Sequence, residues 1–296
     1  MTRKTTLPVK MLTAAVLLIG LLAINCDERD VPYIIDEDEI ARYIRVEAEA
    51  QELFRSDSLI VSGTYQAPGS AALFYDSILS YEREVTVIVG DSAANYGSLG
   101  MLYEAVAVVN DNFAIRTLRM EGSDTTPVDH NRQFTRVGFF LKLGDDAQDY
   151  VGWKLWGIGP APSTTPPVNV TVDPEIGVPY PGDDDMFDRQ PIELGGDFEY
   201  IRISEIRSIA GGSYLALSTN IHNVQSPVRY YQLLAGAEDG GYMTRPMLQV
   251  DPESYADTLR TPNGNTTQYN VVLMQSFRDD TFQYNSGWFF YYRVPQ

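Results

Sequence analysis

The chain has 296 residues, a formal net charge of −18 and a composition that is 44% apolar and 11% aromatic. Its apolar content exceeds that of disordered acidic chains, and its length is that of one large or two ordinary domains. Because so strong a negative charge repels phosphate groups, the composition argues against nucleic acid as a partner.

The N-terminal segment has the charge pattern of an export signal. Residues 2–10 hold three cations, and an apolar run of 14 residues follows from Met11 to Ile24. The run is shorter than the ~20 residues that cross a bilayer, and its length suits the apolar region of a signal peptide. The only cysteine of the chain, Cys26, comes two residues later.

This pattern resembles the signal of bacterial lipoproteins, with Asn25 where that family usually has a small residue. The resemblance implies that residues 1–25 are removed and that the Cys26 thiol takes a diacylglycerol, with palmitate among the expected acyl groups. It also implies a lipid-anchored protein of the cell envelope, on the periplasmic or cell-surface side, whose first partner is the membrane. An uncleaved anchor helix is the alternative, and it also places the rest of the chain outside the cytoplasm.

The first predicted element beyond Cys26 is a helix. Apolar residues recur at steps of three and four from Asp38 to Ser56, and Asp36 is the predicted N-cap. Residues 71–81 have an ambiguous pattern that could form a second helix. From Glu84 onward, β-branched and aromatic runs between turn residues predict strands. These strands are 85–89, 102–109, 113–120, 134–143 and 150–158, with turns at 90–91, 110–112, 144–146 and 157.

The second half of the chain begins with a proline-rich, acidic interval, residues 160–191. Proline removes donors from a sheet, so this interval is predicted to be a linker or an edge-hugging segment. Beyond it, strands are predicted at 198–203, 213–220, 228–235, 247–250, 269–275 and 287–294. Tyr269, which opens an alternating strand after the turn at Pro262–Gly264, resembles the F strand of fibronectin type III and other immunoglobulin-like domains. The resemblance implies a β-sandwich and no particular function.

The expected fold class is therefore mainly β. It consists of an N-terminal α+β module with an antiparallel sheet, followed by an immunoglobulin-like β-sandwich. The predicted boundaries are a signal peptide at 1–25, a tether and helix at 26–57, the α+β domain at 58–160, a Pro-rich acidic linker at 161–191 and the sandwich at 192–296.

One segment resembles a catalytic motif. Gly90-Asp91-Ser92 after a predicted strand resembles the first block of the GDS-type SGNH hydrolases, in which the serine is the nucleophile. That chemistry needs a histidine base with an aspartate three residues before it. Both histidines lack this aspartate, since Pro127 precedes His130 and Thr219 precedes His222 at that spacing. The segment is therefore predicted to be a turn.

Metal sites and cofactors are not expected either. His130 and His222 are predicted to be solvated loop residues, and neither has the histidine or cysteine partners of a zinc site. Acidic clusters at 145–146, 183–188 and 279–280 carry the oxygen ligands that Ca²⁺ prefers, but they lack the alternate spacing of the twelve-residue calcium loop.

Aromatic residues are the remaining candidates for ligand contact. Trp153 lies in one predicted strand, and Trp288, Phe290 and Tyr292 alternate along another. An exposed aromatic face stacks on sugar rings or buries against a partner protein. Packing of one face into the core is the structural alternative.

These observations favour a non-enzymatic cell-envelope lipoprotein that acts as a binding or assembly module, with an envelope protein or a glycan as its partner. Two alternatives remain open. One is a secreted glycan-active hydrolase with a carboxylate pair, since such a pair is defined in space rather than in sequence. The other is a carbohydrate-binding or adhesive surface protein.

Overall fold

The computed structural model describes residues 31–60, 64–66, 71–159, 171–179, 187–191, 200–222, 230–238, 241–251, 254–264, 267–278 and 283–296. Over these residues the fold is mainly β, its named sheets are antiparallel, and two short α-helices precede them. The predicted fold class is confirmed at this level.

Two helices replace the single helix predicted from the sequence. Helix α1 spans Val31–Val46 and helix α2 spans Ala48–Leu53, because Glu47 between them has an extended main chain. Asp36 lies inside α1 and is therefore not its N-cap. The apolar positions that predicted the helix, such as Ile40 and Ile44, are buried as expected.

The first sheet has six strands in the order β1-β2-β5-β6-β7-β10. Its three central strands have 17 to 19 residues each, so they are about 55–60 Å long. A two-stranded ribbon, β3 with β4, leaves one end of this sheet. The strands are β1 Thr64–Gln66, β2 Leu73–Val89, β3 Ala94–Asn95, β4 Met101–Leu102, β5 Glu104–Glu121, β6 Asp124–Lys142, β7 Trp153–Gly159 and β10 Ile201–Arg202.

Three local predictions for this sheet need correction. Residues 73–81 belong to strand β2 and not to a second helix, and the predicted turn at 110–112 lies in the middle of β5. Gly157 does not end a strand but lies within β7, where a Cβ atom would meet the Tyr200 ring at 2.3 Å. In each case the neighbouring strand or ring, rather than local turn preference, decides the conformation.

The second half forms two sheets, ordered β14-β15-β11-β8-β9 and β13-β12-β16-β17. Apart from the added edge strand β9, this is the strand order of an immunoglobulin-like sandwich. Strands β8 and β9 lie in the interval predicted as a linker, and β8 pairs with β11 over seven residues. The strands are β8 Thr171–Pro179, β9 Phe187–Pro191, β11 Tyr214–His222, β12 Tyr230–Glu238, β13 Gly241–Pro246, β14 Leu248–Gln249, β15 Ser254–Arg260, β16 Gln268–Arg278 and β17 Gln283–Val294.

The four-stranded sheet is buried on both of its faces. Successive residues of a strand point to opposite faces. Thus Val272 and Tyr292 pack against the five-stranded sheet, whereas Val271 and Tyr291 pack toward the helices and the six-stranded sheet. The two halves of the chain therefore share the first of two core clusters, and the predicted domain boundaries stay a prediction.

Candidate functional site

The predicted lipid attachment site, Cys26, lies outside the described residues, so its modification stays a prediction. Among the described helices, none combines the length and apolar character that a membrane crossing requires.

The aromatic residues proposed to face a ligand are core residues where their side chains are described. Trp153 and Tyr292 are 0% exposed, and Phe290 is also buried. The reason is that β7 turns Trp153 toward helix α1, while β17 is part of the sheet that is covered on both faces. The side chain of Trp288 lies outside the described residues.

Ser92 of the hydrolase-like motif is far from His130. Gly90 donates its main-chain N–H to the carbonyl of Glu104 at one end of β5, at 2.9 Å, whereas His130 lies opposite Ile115. Eleven residues of β5 separate these two positions, or about 36 Å of strand. His130 therefore cannot act as the base for Ser92. The side chain of His222 lies outside the described residues.

His130 itself is not a loop residue. It lies in β6, is half-buried, and its Nε2 atom is 2.8 Å from Oγ1 of Thr117. Thr117 in turn bonds Oδ1 of Asp76 at 2.5 Å, and both Thr117 and Asp76 are buried. An ionised carboxylate only accepts hydrogen bonds and a hydroxyl has one hydrogen, so Thr117 donates to Asp76 and accepts from His130. We call this group the Asp76 cluster.

The Asp76 cluster does not have the arrangement of a nucleophilic triad. In a triad the histidine lies between the carboxylate and the hydroxyl, whereas here the hydroxyl of Thr117 lies between the other two groups. Thr117 is also 0% exposed, so its oxygen is out of reach of a substrate. Burial lowers the pKa of His130, and the nearby charge of Asp76 opposes that effect.

A second buried group surrounds Asp111, a residue of the predicted turn at 110–112 that lies in β5. The Asp111 carboxylate accepts hydrogen bonds from Arg83 Nε at 2.6 Å and from Arg136 Nη2 at 2.7 Å. It also accepts from the hydroxyls of Tyr81, at 2.8 Å, and of Ser56. Burial alone raises the pKa of Asp111, but the hydrogen bonds and charges of the two arginines outweigh it and hold the pKa below its ordinary value. We call this group the Asp111 cluster.

The Asp111 cluster fastens the end of helix α2 to the sheet. The guanidinium of Arg136, which is fully buried, donates to the main-chain carbonyls of Leu53 at 3.1 Å and Arg55 at 2.9 Å, and also to that of Phe54. The last carbonyls of a helix lack partners within the helix, so these bonds complete the end of α2. The feature of the sequence that points to this cluster is the position of Asp111 between two predicted strands, 102–109 and 113–120.

Helix α1 is fastened at the C-terminal end of β6, six residues beyond Arg136. Oδ1 of Asp36 accepts hydrogen bonds from Trp153 Nε1 at 3.0 Å and from Lys142 Nζ at 3.2 Å. Lys142 also pairs with Asp146 at 2.7 Å. Burial lowers the pKa of Lys142, but its bonds to Asp146 and Asp36 prevail and raise it above the ordinary value. This end of the sheet, next to the first helix after Cys26, is the candidate functional site.

The acidic residues in the described ranges do not gather into a metal centre. There, no group of three or more His, Cys, Asp and Glu side chains is placed to hold a metal ion. The acidic residues 183–185 and 279–280 lie outside the described part of the chain.

Comparison of the chain with protein families, with curated proteins and with solved structures gives no match in any of the three.

Proposed function

We propose that the chain is a non-enzymatic lipoprotein of the cell envelope, anchored through Cys26, in which a rigid β body acts as a binding or assembly module. The observation that carries the proposal is the docking of α1. This helix begins five residues after Cys26, and its residue Asp36 is bonded to two side chains of the first sheet.

Rigidity of the body supports an assembly role. Arg132 of β6 donates to the side chain of Gln275 of β16, and both residues are buried. Glu52 of α2 accepts a hydrogen bond from the main-chain N–H of Tyr269 at 2.9 Å. These bonds and the shared core hold the helices, the first sheet and the sandwich together. A partner bound anywhere on this body therefore keeps a fixed position relative to α1, the helix that follows the proposed anchor.

The glycan alternatives receive less support. The described aromatic side chains proposed for sugar stacking are in the core. The Asp76 and Asp111 clusters each hold a buried carboxylate. In the first cluster the carboxylate is bonded to the buried hydroxyl of Thr117, and in the second it is paired with two arginines, so both clusters have structural roles.

Metabolic labelling with a tagged fatty acid tests the proposal. The wild-type chain should take the label and fractionate with membranes, whereas Cys26→Ala should lose the label and become soluble. Unlabelled wild-type protein that stays membrane-bound together with Cys26→Ala would instead establish an uncleaved anchor helix.

A further inference from the structure

We propose that the end of the first sheet beside α1 rests on the bilayer that holds the anchor, with an exposed apolar patch in the lipid interface. This inference depends on the lipid anchoring proposed above. The patch consists of four side chains that are 44–64% exposed, and we call it the ribbon patch. Its members are Leu99, Met101, Tyr103 and Leu143.

The hydrogen bonds of the main chain place the ribbon patch at the α1 end of the sheet. The carbonyl of Tyr103 accepts from the N–H of Lys142 at 3.0 Å, and Leu143 is the next residue. Met101 lies in the β3–β4 ribbon, two residues before Tyr103. Since Lys142 is the residue that binds Asp36, the patch and the start of α1 lie at the same end of the molecule.

The length of chain before α1 keeps this end close to the membrane. Val31 is five residues after Cys26, and five residue steps span at most about 18 Å. The first five residues of α1 add about 7 Å before Asp36. Asp36 thus stays within about 25 Å of the lipidated residue.

The other end of the sheet is beyond this reach. Strand β6 extends from Lys142 to Asp124, about 60 Å away. Exposed apolar side chains occur toward that end too, for example at Leu79, which is 51% exposed. Leu79 follows Ile78, which pairs with Ile115 of β5, about 36 Å along the strand from Glu104 at the ribbon end. When the ribbon end rests on the bilayer with the strands directed away from it, Leu79 stays outside the lipid.

The chemistry of the patch suits a lipid interface. The chain carries no charged residue between Asp91 and Glu104, although its net charge is −18. Tyrosine prefers the boundary between headgroups and acyl chains, and leucine and methionine gain by leaving water there. Because the protein is acidic, apolar burial rather than electrostatic attraction has to hold this end on the membrane.

Site-directed fluorescence on the full lipidated chain tests the inference. Lipidation consumes the thiol of Cys26, which is the only cysteine, so Met101→Cys introduces a single free thiol. Leu79→Cys is the matched control, because Leu79 is an exposed apolar residue of the same sheet, about 36 Å along the strands from the ribbon end. Each variant is labelled with an environment-sensitive dye and reconstituted in phosphatidylcholine vesicles, with and without a nitroxide-bearing lipid.

We expect the dye at position 101 to shift its emission to shorter wavelengths and to be quenched by the nitroxide lipid, while the dye at position 79 does neither. Equal spectra at the two positions on vesicle-bound protein would overturn the inference and leave the lipid anchoring intact. Labelling of wild-type protein at Cys26 would show a free thiol there, and it would overturn the anchoring and the inference together.

Discussion

Two aspartates are buried on the inner face of the same sheet, and they are held in different ways. Asp111 of β5 pairs with the guanidinium groups of Arg83 and Arg136, which carry a permanent charge. Asp76 of β2 bonds Thr117, which in turn contacts the imidazole of His130. The first cluster lies where the helices end, whereas the second lies about 20 Å further along β5.

The difference separates a fixed attachment from a titratable one. A carboxylate between two arginines keeps its charge over a wide pH range, so the Asp111 cluster behaves as a permanent fastening for α2. Burial lowers the pKa of the half-buried His130, so protonating it in the folded chain below pH 6.5 costs stability and makes the Asp76 cluster sensitive to acid.

The largest effect is expected from Arg136→Met. The substitution keeps much of the side-chain volume but removes one arginine from Asp111 and the Arg136 donors to the carbonyls at the end of α2. Arg83, which also donates to the carbonyl of Phe54, remains. Removing one partner of a buried ion pair costs about 3–5 kcal/mol of unfolding free energy, which urea denaturation measures.

Arg116→Ala is the matched control for Arg136→Met. Arg116 also pairs with an aspartate of the same sheet, Asp129, but both side chains are about half exposed. Solvent screens such a pair, so we expect an unfolding curve that overlays that of the wild type. Equal losses for both variants would refute a special role for the Asp111 cluster.

A smaller effect is expected from Thr117→Val, which replaces the buried hydroxyl by a methyl group of similar size. Asp76 and His130 each lose one hydrogen-bond partner. The expected cost is about 1–3 kcal/mol of unfolding free energy. If Thr117→Val proves as stable as the wild type, the Asp76 cluster contributes nothing to folding.

The smallest effect is expected in the pH dependence of stability, which the substitution His130→Gln tests. Since the folded pKa of His130 is lowered, the unfolded chain binds a proton first as the pH falls below 6.5. Stability is therefore fully present above pH 6.5 and declines down to the lowered pKa. His130→Gln should remove this part of the pH dependence of the thermal midpoint.

Asp111 affects the stability of the fold in a separate and lower pH range than His130. Its depressed pKa stabilises the fold above pH 3.8, the ordinary value for aspartate, and this contribution is lost as the pH falls further. The decline below pH 3.8 should thus remain in His130→Gln. An unchanged profile above that pH would show that His130 does not titrate with folding.

The sequence predicts the class of the fold well, because alternation of apolar residues is a local signal. Strands such as β6, β11 and β16 were predicted within a few residues at one end, and the hairpin of β6 with β7 is confirmed. Strand β15 was not predicted.

The polar clusters could not be predicted, because their partners are distant in sequence. Asn110, Asp111 and Asn112 have the composition of a turn. Asp111 is nevertheless in a strand because Arg83 and Arg136, 28 and 25 residues away, neutralise its charge. The environment of the aromatic run at 288–292 was predicted only in part. Its alternation correctly predicted two faces but did not indicate that both are covered.

The four-stranded sheet, which is buried on both faces, also determines when the core of the first sheet can close during synthesis. Phe289 and Tyr291 of β17, within the last eight residues of the chain, fill the core of the first sheet and its helices. That core stays open until β17 has been synthesised and has paired with β16. Contacts of such long sequence separation slow folding. A chaperone that shields the exposed face of the first sheet during this interval should therefore raise the yield of native protein.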